Sequence, residues 1–304
     1  MSRFIKAKKK VKAGDYITSL LFIMPVLLGI LLFTLIPMAS SFVFSFTEYK
    51  LIYRFPTKFI GFDNYIWAFT GDWVNVGNSL WRTFAYAFIS LPLTIVLSFA
   101  VALALVKETK GIKLYRTLIY LPVLLPAVVG GLLWTDILDY NKGVVNMLLQ
   151  SVGLPKYGFY SQESTALPTF IGTSLFGIGG SMVLWIAQIK NIPDTMIEAA
   201  KIEGAGYWRR LFKIVIPMCT PMIFYNLVLG IIGALQVFAS AMVVSSASTG
   251  GALSFLSVYI YQKLQFGKDM GYVSALSWIL FVIIGLLTLL VFATGKWVYY
   301  GDDE

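Results

Sequence analysis

Six long stretches of the chain are apolar and carry no charge. No Asp, Glu, Lys or Arg occurs between Asp15 and Glu48, Arg82 and Lys107, Arg116 and Asp136, Glu163 and Lys190, Lys213 and Lys263, or Asp269 and Lys296. Each stretch can hold a helix of about 20 residues, which crosses the roughly 30 Å hydrocarbon core of a bilayer. A soluble protein can bury one such helix, but not six. The pattern predicts an all-α integral membrane protein with about six transmembrane helices, near 18–46, 83–106, 114–135, 168–189, 216–243 and 273–295.

The segments between these spans are short. Residues 107–113 form a tight basic turn, and the segments near 47–82, 136–167 and 244–272 contain Gly, Asn, Ser and aromatic residues. Trp67, Trp73 and Trp81 suit a membrane–water interface. No segment is long enough for a separate folded domain. We therefore predict one transmembrane domain over residues 1–304, with a tail at 1–16.

The net charge of +9 is unevenly distributed between the two predicted sides of the membrane. Segments on the side of the N-terminus carry twice as many Lys and Arg residues as the opposite segments, and six of them lie within the first twelve positions. This bias predicts that both termini are cytoplasmic. It also accounts for the positive charge without a nucleic-acid partner.

The composition limits the chemistry that the chain can perform. The single Cys219 excludes an internal disulfide, and the absence of His removes the commonest metal ligand and proton shuttle. No Gly-x-x-x-x-Gly-Lys-Ser/Thr phosphate loop is present. We expect no catalytic residue, no metal site and no bound cofactor. The basic start resembles a secretory signal, but the apolar run from Ile17 to Phe46 is too long and is predicted to be the first span.

Prolines and glycines interrupt several spans. Proline in a transmembrane helix indicates either a tolerated kink or an opening for a passing solute. The glycines admit either close helix packing or space beside a cavity. These residues are Pro25, Pro37, Pro92, Pro122, Pro126, Pro217 and Pro221, with Gly172, Gly177, Gly179, Gly180, Gly230 and Gly233.

The loop at 190–217, between the fourth and fifth spans, predicts a helix–turn–helix. Pro193 and Asp194 suit a helix start, and Gly204 and Gly206 suit its end. A second helical stretch at 207–213 leads into the next span. Bulk chemistry alone favours a surface hairpin whose charges face water or lipid headgroups.

The full pattern of this loop resembles the EAA loop of ATP-binding cassette importer permeases. The matching residues are Ile192-Pro193, Glu198-Ala199-Ala200, Glu203-Gly204-Ala205 and Ile216-Pro217, with Glu203 where the family usually has Asp. Most of the chain is similar to the carbohydrate-uptake branch, with maltose-type and glycerol-phosphate-type membrane subunits. The further matches are Pro25, Phe33, Pro37, Ser45, Phe46, Tyr49, residues 61–65, Leu121, Pro122, Trp134, Asn146 and Leu149.

The resemblance implies a type I ABC importer permease fold in a bacterial or archaeal cytoplasmic membrane. It implies a second permease chain, two ATPase subunits that use ATP and Mg, and an external solute-binding protein. The EAA helix would be a cytoplasmic coupling helix in a groove on an ATPase. Glu198 would meet a basic group, Gly204 would form the turn, and Ile197, Ala200 and Ala205 would make apolar contacts. The expected ATPase-coupling set is Ile197, Glu198, Ala199, Ala200, Glu203, Gly204, Ala205 and Gly206.

The resemblance also places a solute cavity among the third to fifth spans. Sugars bind through hydrogen bonds and aromatic stacking in a cleft. The absence of charge inside the spans favours a neutral sugar or oligosaccharide over an ionic solute. The candidate residues, whose polar groups equally suit bonds to neighbouring helices, are Thr173, Phe176, Gly177, Ser181, Trp185, Gln188, Asn226 and Gln236.

Three other functions would require different features of the sequence. An ion-coupled secondary transporter would be expected to carry buried acids and an inverted repeat, which the sequence lacks. A membrane-embedded enzyme would need acid–base groups that are absent here. An importer of the same family for a non-sugar solute, such as a glycerol phosphate ester, stays open.

Overall fold

The structure is a computed structural model that describes residues 13–53, 58–245 and 251–299. Most of the predicted tail at 1–16 therefore lies outside the described residues, as do the last residues of the chain. The described part is almost entirely helical. Its two strands, β1 (Thr47–Glu48) and β2 (Lys58–Phe59), form one short antiparallel pair in which Thr47 faces Phe59.

The α-helices follow one another along the whole described chain. They are α1 (Ala13–Ile30), α2 (Ile36–Phe44), α3 (Asp63–Phe69), α4 (Trp73–Leu105), α5 (Ile112–Tyr120), α6 (Ala127–Ile137), α7 (Val144–Ser151), α8 (Glu163–Ser174), α9 (Gly179–Lys190), α10 (Asp194–Ile202), α11 (Tyr207–Arg210), α12 (Ile216–Met218), α13 (Thr220–Leu235), α14 (Ala239–Ser245), α15 (Leu256–Gln262) and α16 (Met270–Ala293). Short 3₁₀ segments at Leu121–Leu124, Leu175–Ile178 and Gly295–Trp297, and π-helical segments at Leu31–Leu35, Leu211–Val215 and Lys263–Gly267, extend or join several of them.

Five helical stretches in the described residues are long and apolar enough to cross a membrane, and they match five predicted spans. They are Leu20–Phe44, Trp73–Leu105, Glu163–Lys190, Thr220–Ser245 and Met270–Ala293. The predicted span at 114–135 is instead a broken pair, Ile112–Leu124 and Ala127–Ile137, whose axes differ by 100°. The prediction of about six transmembrane helices is confirmed, with the third one bent.

The break has a local cause at Pro126. A residue that precedes proline is pushed out of the helical region by the proline ring, and Leu125 has an extended ψ of 130°. Its N–H donates to the Pro122 carbonyl at 3.2 Å, and a new helix starts when Gly130 N–H reaches the Pro126 carbonyl at 3.0 Å. Pro92, in contrast, lies inside the continuous α4.

Two other prolines are accommodated by π-helical turns. Leu31–Leu35 ends two residues before Pro37, and Leu211–Val215 ends two residues before Pro217. Proline has no N–H, and its ring collides with the carbonyl four residues earlier. A wider π turn relieves that collision while the chain stays helical. The helix therefore continues through both sites.

The described residues pack as two compact units, those within 13–65 with 268–278, and those within 66–267 with 279–299. In the first unit, Asn64 organises the loop that follows α2. Its amide donates to the carbonyls of Ser45 at 2.9 Å and Thr47 at 3.1 Å, and the Tyr65 hydroxyl donates to Ser45 Oγ at 2.8 Å. Asn64 and Tyr65 belong to the 61–65 match to the permease family, so these two residues have a structural function here.

The second unit is built around α4, which packs against α8, α9, α13 and α15. Towards one end, the rings of Tyr86, Phe170 and Phe255 meet with centroids 5.3–5.4 Å apart. Further along α4, fully buried Trp185 donates its indole N–H to Ser98 Oγ at 3.0 Å. These contacts join four helices to one long central helix.

Three polar contacts hold α15 and the residue that follows it against α4 and its N-terminal end. The backbone N–H of Leu256, at the first turn of α15, donates to Thr83 Oγ1 at 2.9 Å. The carboxylate of Asp72, next to the start of α4, is buried and accepts the Tyr259 hydroxyl, while Lys263 Nζ lies 3.3 Å from it. A buried charge of this kind requires partners, because an unpaired one is costly. The position of α15 is therefore fixed at both of its ends.

Asn146 holds the segment that follows α6 through three hydrogen bonds. Its amide nitrogen donates to the carbonyls of Asp139 at 3.1 Å and Tyr157 at 3.0 Å, and its oxygen accepts the Tyr157 N–H at 2.8 Å. The residue is buried. Asn146 therefore connects α7 to the segment before it, at Asp139, and to the segment after it, at Tyr157.

We expect Asn146→Ala to lower the melting temperature of the chain in mild detergent by several degrees. The change removes all three hydrogen bonds of this buried side chain, and a typical intramolecular hydrogen bond contributes about 0.5–1.5 kcal/mol. Asn141→Ala, at an exposed side chain in the same loop, is the matched control. Equal melting temperatures for the two variants would contradict this function of Asn146.

Candidate functional site

A cavity of about 280 Å³ lies beside the broken helix pair. The break itself supplies part of the wall through Pro122, Leu125 and Pro126, since the extended Leu125 turns the chain away from the α5 axis. The remaining lining residues are Ala127, Gly130, Gly131, Trp134, Tyr160, Phe170, Thr173, Ser174, Phe176, Gly177, Ser240 and Val244. None of these described lining residues is charged.

The cavity combines aromatic faces with hydroxyl groups. The rings of Trp134 and Phe176 lie 4.6 Å apart at 59°, and Phe176 is exposed. The hydroxyls of Tyr160 and Thr173 are 2.9 Å apart and share a hydrogen bond. An uncharged wall with rings and hydroxyls suits a polar, neutral ligand that stacks and exchanges hydrogen bonds.

Two glycines of the cavity wall have different functions. A Cβ on Gly131 would lie 3.2 Å from the Ser240 carbonyl, so glycine allows α6 and α14 to approach closely. Gly177, in the 3₁₀ segment after α8, has no atom within 4 Å of where its Cβ would lie. One glycine therefore permits packing, and the other adjoins open space.

Three predicted substrate residues, Thr173, Phe176 and Gly177, line this cavity. The structure places the other five elsewhere. Gln188 donates a hydrogen bond to the Met218 carbonyl at 3.0 Å, Asn226 donates one to the Met222 carbonyl at 2.9 Å, and Trp185 donates one to Ser98. Gln236 is exposed and Ser181 is half-buried. For Gln188, Asn226 and Trp185, the polar groups are used by neighbouring or local partners.

Trp185 borders a different, larger cavity of about 620 Å³. Its walls are apolar side chains of α4, together with aromatic residues such as Trp208 and Phe212 from the second half of the EAA loop. Few hydrogen-bonding groups face it, so it is poorly suited to a sugar.

Sequence reasoning missed Tyr160 and did not assign Trp134 to the cavity. Tyr160 lies in a loop before α8, where helical periodicity gives no signal. In the sequence, Pro122 and Trp134 are recognisable as matches to the permease family, and Pro126 is recognisable as a helix breaker. The bend that brings these three residues to one wall is visible only in the structure.

The EAA loop forms the predicted helix–turn–helix. The helix α10 ends in a Schellman turn: Gly204 N–H donates to the Lys201 carbonyl at 3.0 Å, and Ala205 N–H donates to the Ala200 carbonyl at 2.9 Å. Gly204 has φ +78°, a left-handed conformation that favours glycine. Gly206 precedes α11, and the Arg210 guanidinium donates to the Ala205 carbonyl. The turn is fixed by its own hydrogen bonds.

The side chains of α10 point in two directions. Ile197 is half-buried against the cluster that contains Met182, Trp185 and Ile192. Glu198, Ala199 and Glu203 are exposed, and Ile202 is 88% exposed. Ile197 therefore packs on its own chain, and Ile202, absent from the predicted coupling set, is an apolar side chain that α10 presents outward. Ala200 and Ala205 are half-buried.

A multi-pass helical protein with a bent third span, an EAA loop and an uncharged cavity belongs to the class of membrane transport subunits. The family model described as "Binding-protein-dependent transport system inner membrane component" matches residues 74–299. The chain belongs to this family. It is therefore a multi-pass inner-membrane permease subunit of an ABC transporter, and one component of a binding-protein-dependent system.

Known proteins match nearly the whole chain. It is 40% identical over 300 residues to the "Probable ABC transporter permease protein YesP" of Bacillus subtilis, covering 95% of this chain and 94% of that one. It is 26% identical over 289 residues to the "Trehalose/maltose transport system permease protein MalF" of Thermococcus litoralis, covering 94% and 96%. A chain of a solved bacterial ABC transporter for import of the acidic polysaccharide alginate shares the fold, with a TM-score of 0.83 at 22% identity over 93% of this chain and 96% of that one.

We expect Thr173→Cys to be modified by a small water-soluble thiol reagent. Thr173 borders the cavity, whereas the natural Cys219 is fully buried. The wild-type chain should stay unlabelled, as should Ser98→Cys, which places a thiol at a buried position. Mass spectrometry of the intact chain measures the modification. Labelling of Thr173→Cys no faster than that of Ser98→Cys would contradict an accessible cavity.

Proposed function

We propose that this chain is one of two permease subunits of an ATP-driven importer and forms half of the pathway for a neutral sugar or oligosaccharide. The observation that carries the proposal is the uncharged cavity, in which Trp134 and Phe176 supply aromatic faces and Tyr160 and Thr173 supply hydroxyls. The similarity to a trehalose/maltose permease supports the sugar class.

The proposed complex contains a second permease, two ATPase subunits that use ATP and Mg, and an external solute-binding protein, in a bacterial or archaeal inner membrane. The excess of Lys and Arg on one side supports cytoplasmic termini and a cytoplasmic EAA loop. We propose one functional transmembrane domain over residues 1–304. Bilayer lipid surrounds the apolar spans.

A neutral solute is favoured over an acidic one by the composition of the cavity wall. The solved neighbour imports an acidic polysaccharide, but no Lys or Arg is among the described residues that line the cavity here. A phosphate or carboxylate moved into an uncharged wall loses water without gaining a cation. A glycerol phosphate ester therefore fits this wall less well than a neutral sugar.

In the proposed mechanism, ATP binding and hydrolysis on the ATPase chains move the EAA loop. ATP shifts the equilibrium between two arrangements of the permease only by interacting differently with each. The exposed face of α10, with Glu198 facing a basic group and Ile202 facing an apolar groove, transmits this difference. Ile197 carries the motion into the core of the permease.

We expect Ile202→Lys and Glu198→Lys each to lower sugar uptake roughly tenfold while the chain stays in the membrane. A tenfold change corresponds to about 1.4 kcal/mol of lost coupling, which is reasonable for an apolar or charged contact at an interface. Uptake and the amount of co-purified ATPase are the measurements. Ile202→Leu keeps the apolar side chain and is the matched control. Equal uptake by Ile202→Lys and Ile202→Leu would overturn the function of Ile202, and wild-type uptake by Glu198→Lys would overturn that of Glu198.

We expect Trp134→Ala to lower uptake of a neutral oligosaccharide several-fold, because aromatic contacts contribute about 0.5–1.5 kcal/mol beyond burial. Trp81→Ala is the control, since Trp81 is exposed on α4 and does not line the cavity. Transport into vesicles that contain the whole complex measures the effect. Equal uptake by the two variants would remove Trp134 from the pathway.

The direct test of the proposed function starts from the tagged chain in its own membrane. Gentle extraction and mass spectrometry should identify a second permease and an ATPase, and the accompanying binding protein can then be screened with neutral and acidic sugars. Recovery of the chain alone in several mild detergents would overturn the importer complex. Preferential binding and uptake of acidic sugars would overturn the neutral-solute proposal.

A further inference from the structure

Three helices are connected through one carboxylate. Glu108, in the turn between α4 and α5, accepts hydrogen bonds at Oε1 from Arg116 Nη1 at 3.0 Å and from Lys190 Nζ. Arg116 belongs to α5, and Lys190 is the last residue of α9. One acid therefore connects the turn after α4 with two other helices.

Arg116 is held in place by contacts of its own. Its Nε and Nη2 donate to the Leu105 carbonyl at 3.0 Å and 2.6 Å, and Nη2 also reaches the Val106 carbonyl at 3.3 Å. These carbonyls end α4, where a cation is favourable. The planar guanidinium can serve the carbonyls and Glu108 together because its donors point along fixed directions. Glu108 thus binds a cation that is already fixed to α4.

The two cations belong to two different functional segments. Lys190 is the first residue of the EAA loop, and Ile192, two positions further on, is buried. Arg116 stands on the helix that runs into the broken segment, where Pro122, Leu125 and Pro126 form part of the cavity wall. The Glu108 contact therefore lies between the base of the loop and the helix that supports the wall.

The helices α5 and α9 are in contact at a second point, near their other ends. A Cβ on Gly179, the first residue of α9, would collide with the Ile119 carbonyl and lie 2.8 Å from Tyr120 Cα. Glycine therefore allows the end of α5 to touch the start of α9. Glu108 joins the middle of α5 to the last residue of α9, so the two helices are attached at two points.

Glu108 is the only acid between Lys107 and Arg116. Hydrogen bonds from Lys190 and then from Arg116 hold its pKa below the ordinary value of a glutamate, so the group is ionised at neutral pH. Without this charge, Lys190 and Arg116 would face each other with no anion between them. A glutamine at 108 keeps the size of the side chain and removes the attraction.

We propose that Glu108 is a positioning residue that transmits movement of the EAA loop to the cavity wall, by joining Lys190 at the base of the loop to Arg116 on α5. This proposal rests on the proposed function, in which the loop is moved by an ATPase. An exposed ion pair contributes little to the stability of a fold. Loss of the Glu108 charge should therefore leave the protein folded and change the coupling.

The test uses the complete complex in vesicles and compares wild type with Glu108→Gln, Glu108→Asp and Lys190→Gln. We expect Glu108→Gln to hydrolyse ATP at about the wild-type rate while importing roughly five-fold less sugar per ATP, and Glu108→Asp to recover part of the loss. Glu108 and Lys190 act through one contact. The double variant Glu108→Gln with Lys190→Gln should therefore import no less sugar per ATP than the more affected single variant. Glu163→Gln removes the exposed ion pair with Arg82 at 3.2 Å and is the control.

A second readout does not depend on the identity of the solute. In the Thr173→Cys background, addition of ATP should change the rate of thiol labelling when Glu108 is present and leave it unchanged in Glu108→Gln. A wild-type ratio of sugar to ATP in Glu108→Gln, or the same ATP-dependent labelling change in both, would overturn the proposal. If thiol labelling of the Thr173→Cys complex responds to ATP but the wild-type complex imports no sugar, the proposed substrate is overturned. The comparison of labelling with and without Glu108→Gln still tests the function of Glu108 in that case.

Discussion

Backbone N–H and C=O groups inside a bilayer find no water, so they must be satisfied within the protein. This constraint explains why the described chain is built from helices and how it treats its prolines. At Pro37 and Pro217 a preceding π turn keeps the helix continuous. At Pro126 the helix stops, and the interruption lies at the wall of a cavity. Non-helical backbone within the hydrocarbon region of a membrane is tolerated where it lines a cavity or is covered by protein.

Much of the architecture can be predicted from the sequence because charge-free runs report directly on the bilayer. The five continuous spans follow from them, as does the location of the third. The bend in the third does not, since Pro92 continues a helix and Pro126 ends one. A proline leaves a helix carbonyl without its usual N–H donor, and its effect depends on which groups in the folded protein donate to that carbonyl instead. Those groups can be distant in the sequence.

The site residues divide in the same way. Gly204 could be predicted, because a glycine after a short helix has a defined conformation to adopt. The orientation of the Ile197 side chain towards the core of the permease could not be predicted. On a helix as short as α10, the sequence does not show which apolar positions face the core and which face outward. Asn226 looked like a ligand group, yet its amide bonds a carbonyl one turn earlier in its own helix. Tyr160 reaches the cavity from a loop without any periodic signal.

The buried Asp72 has a consequence for the order in which the molecule can be assembled. Its partner Tyr259 is 187 positions further along the chain, and Lys263 is further still. While a ribosome is producing the chain, α4 exists long before α15, so this carboxylate can accept from the nearby Asn75 amide well before it meets Tyr259 and Lys263. Burial of this end of α4 is therefore a late event of biogenesis.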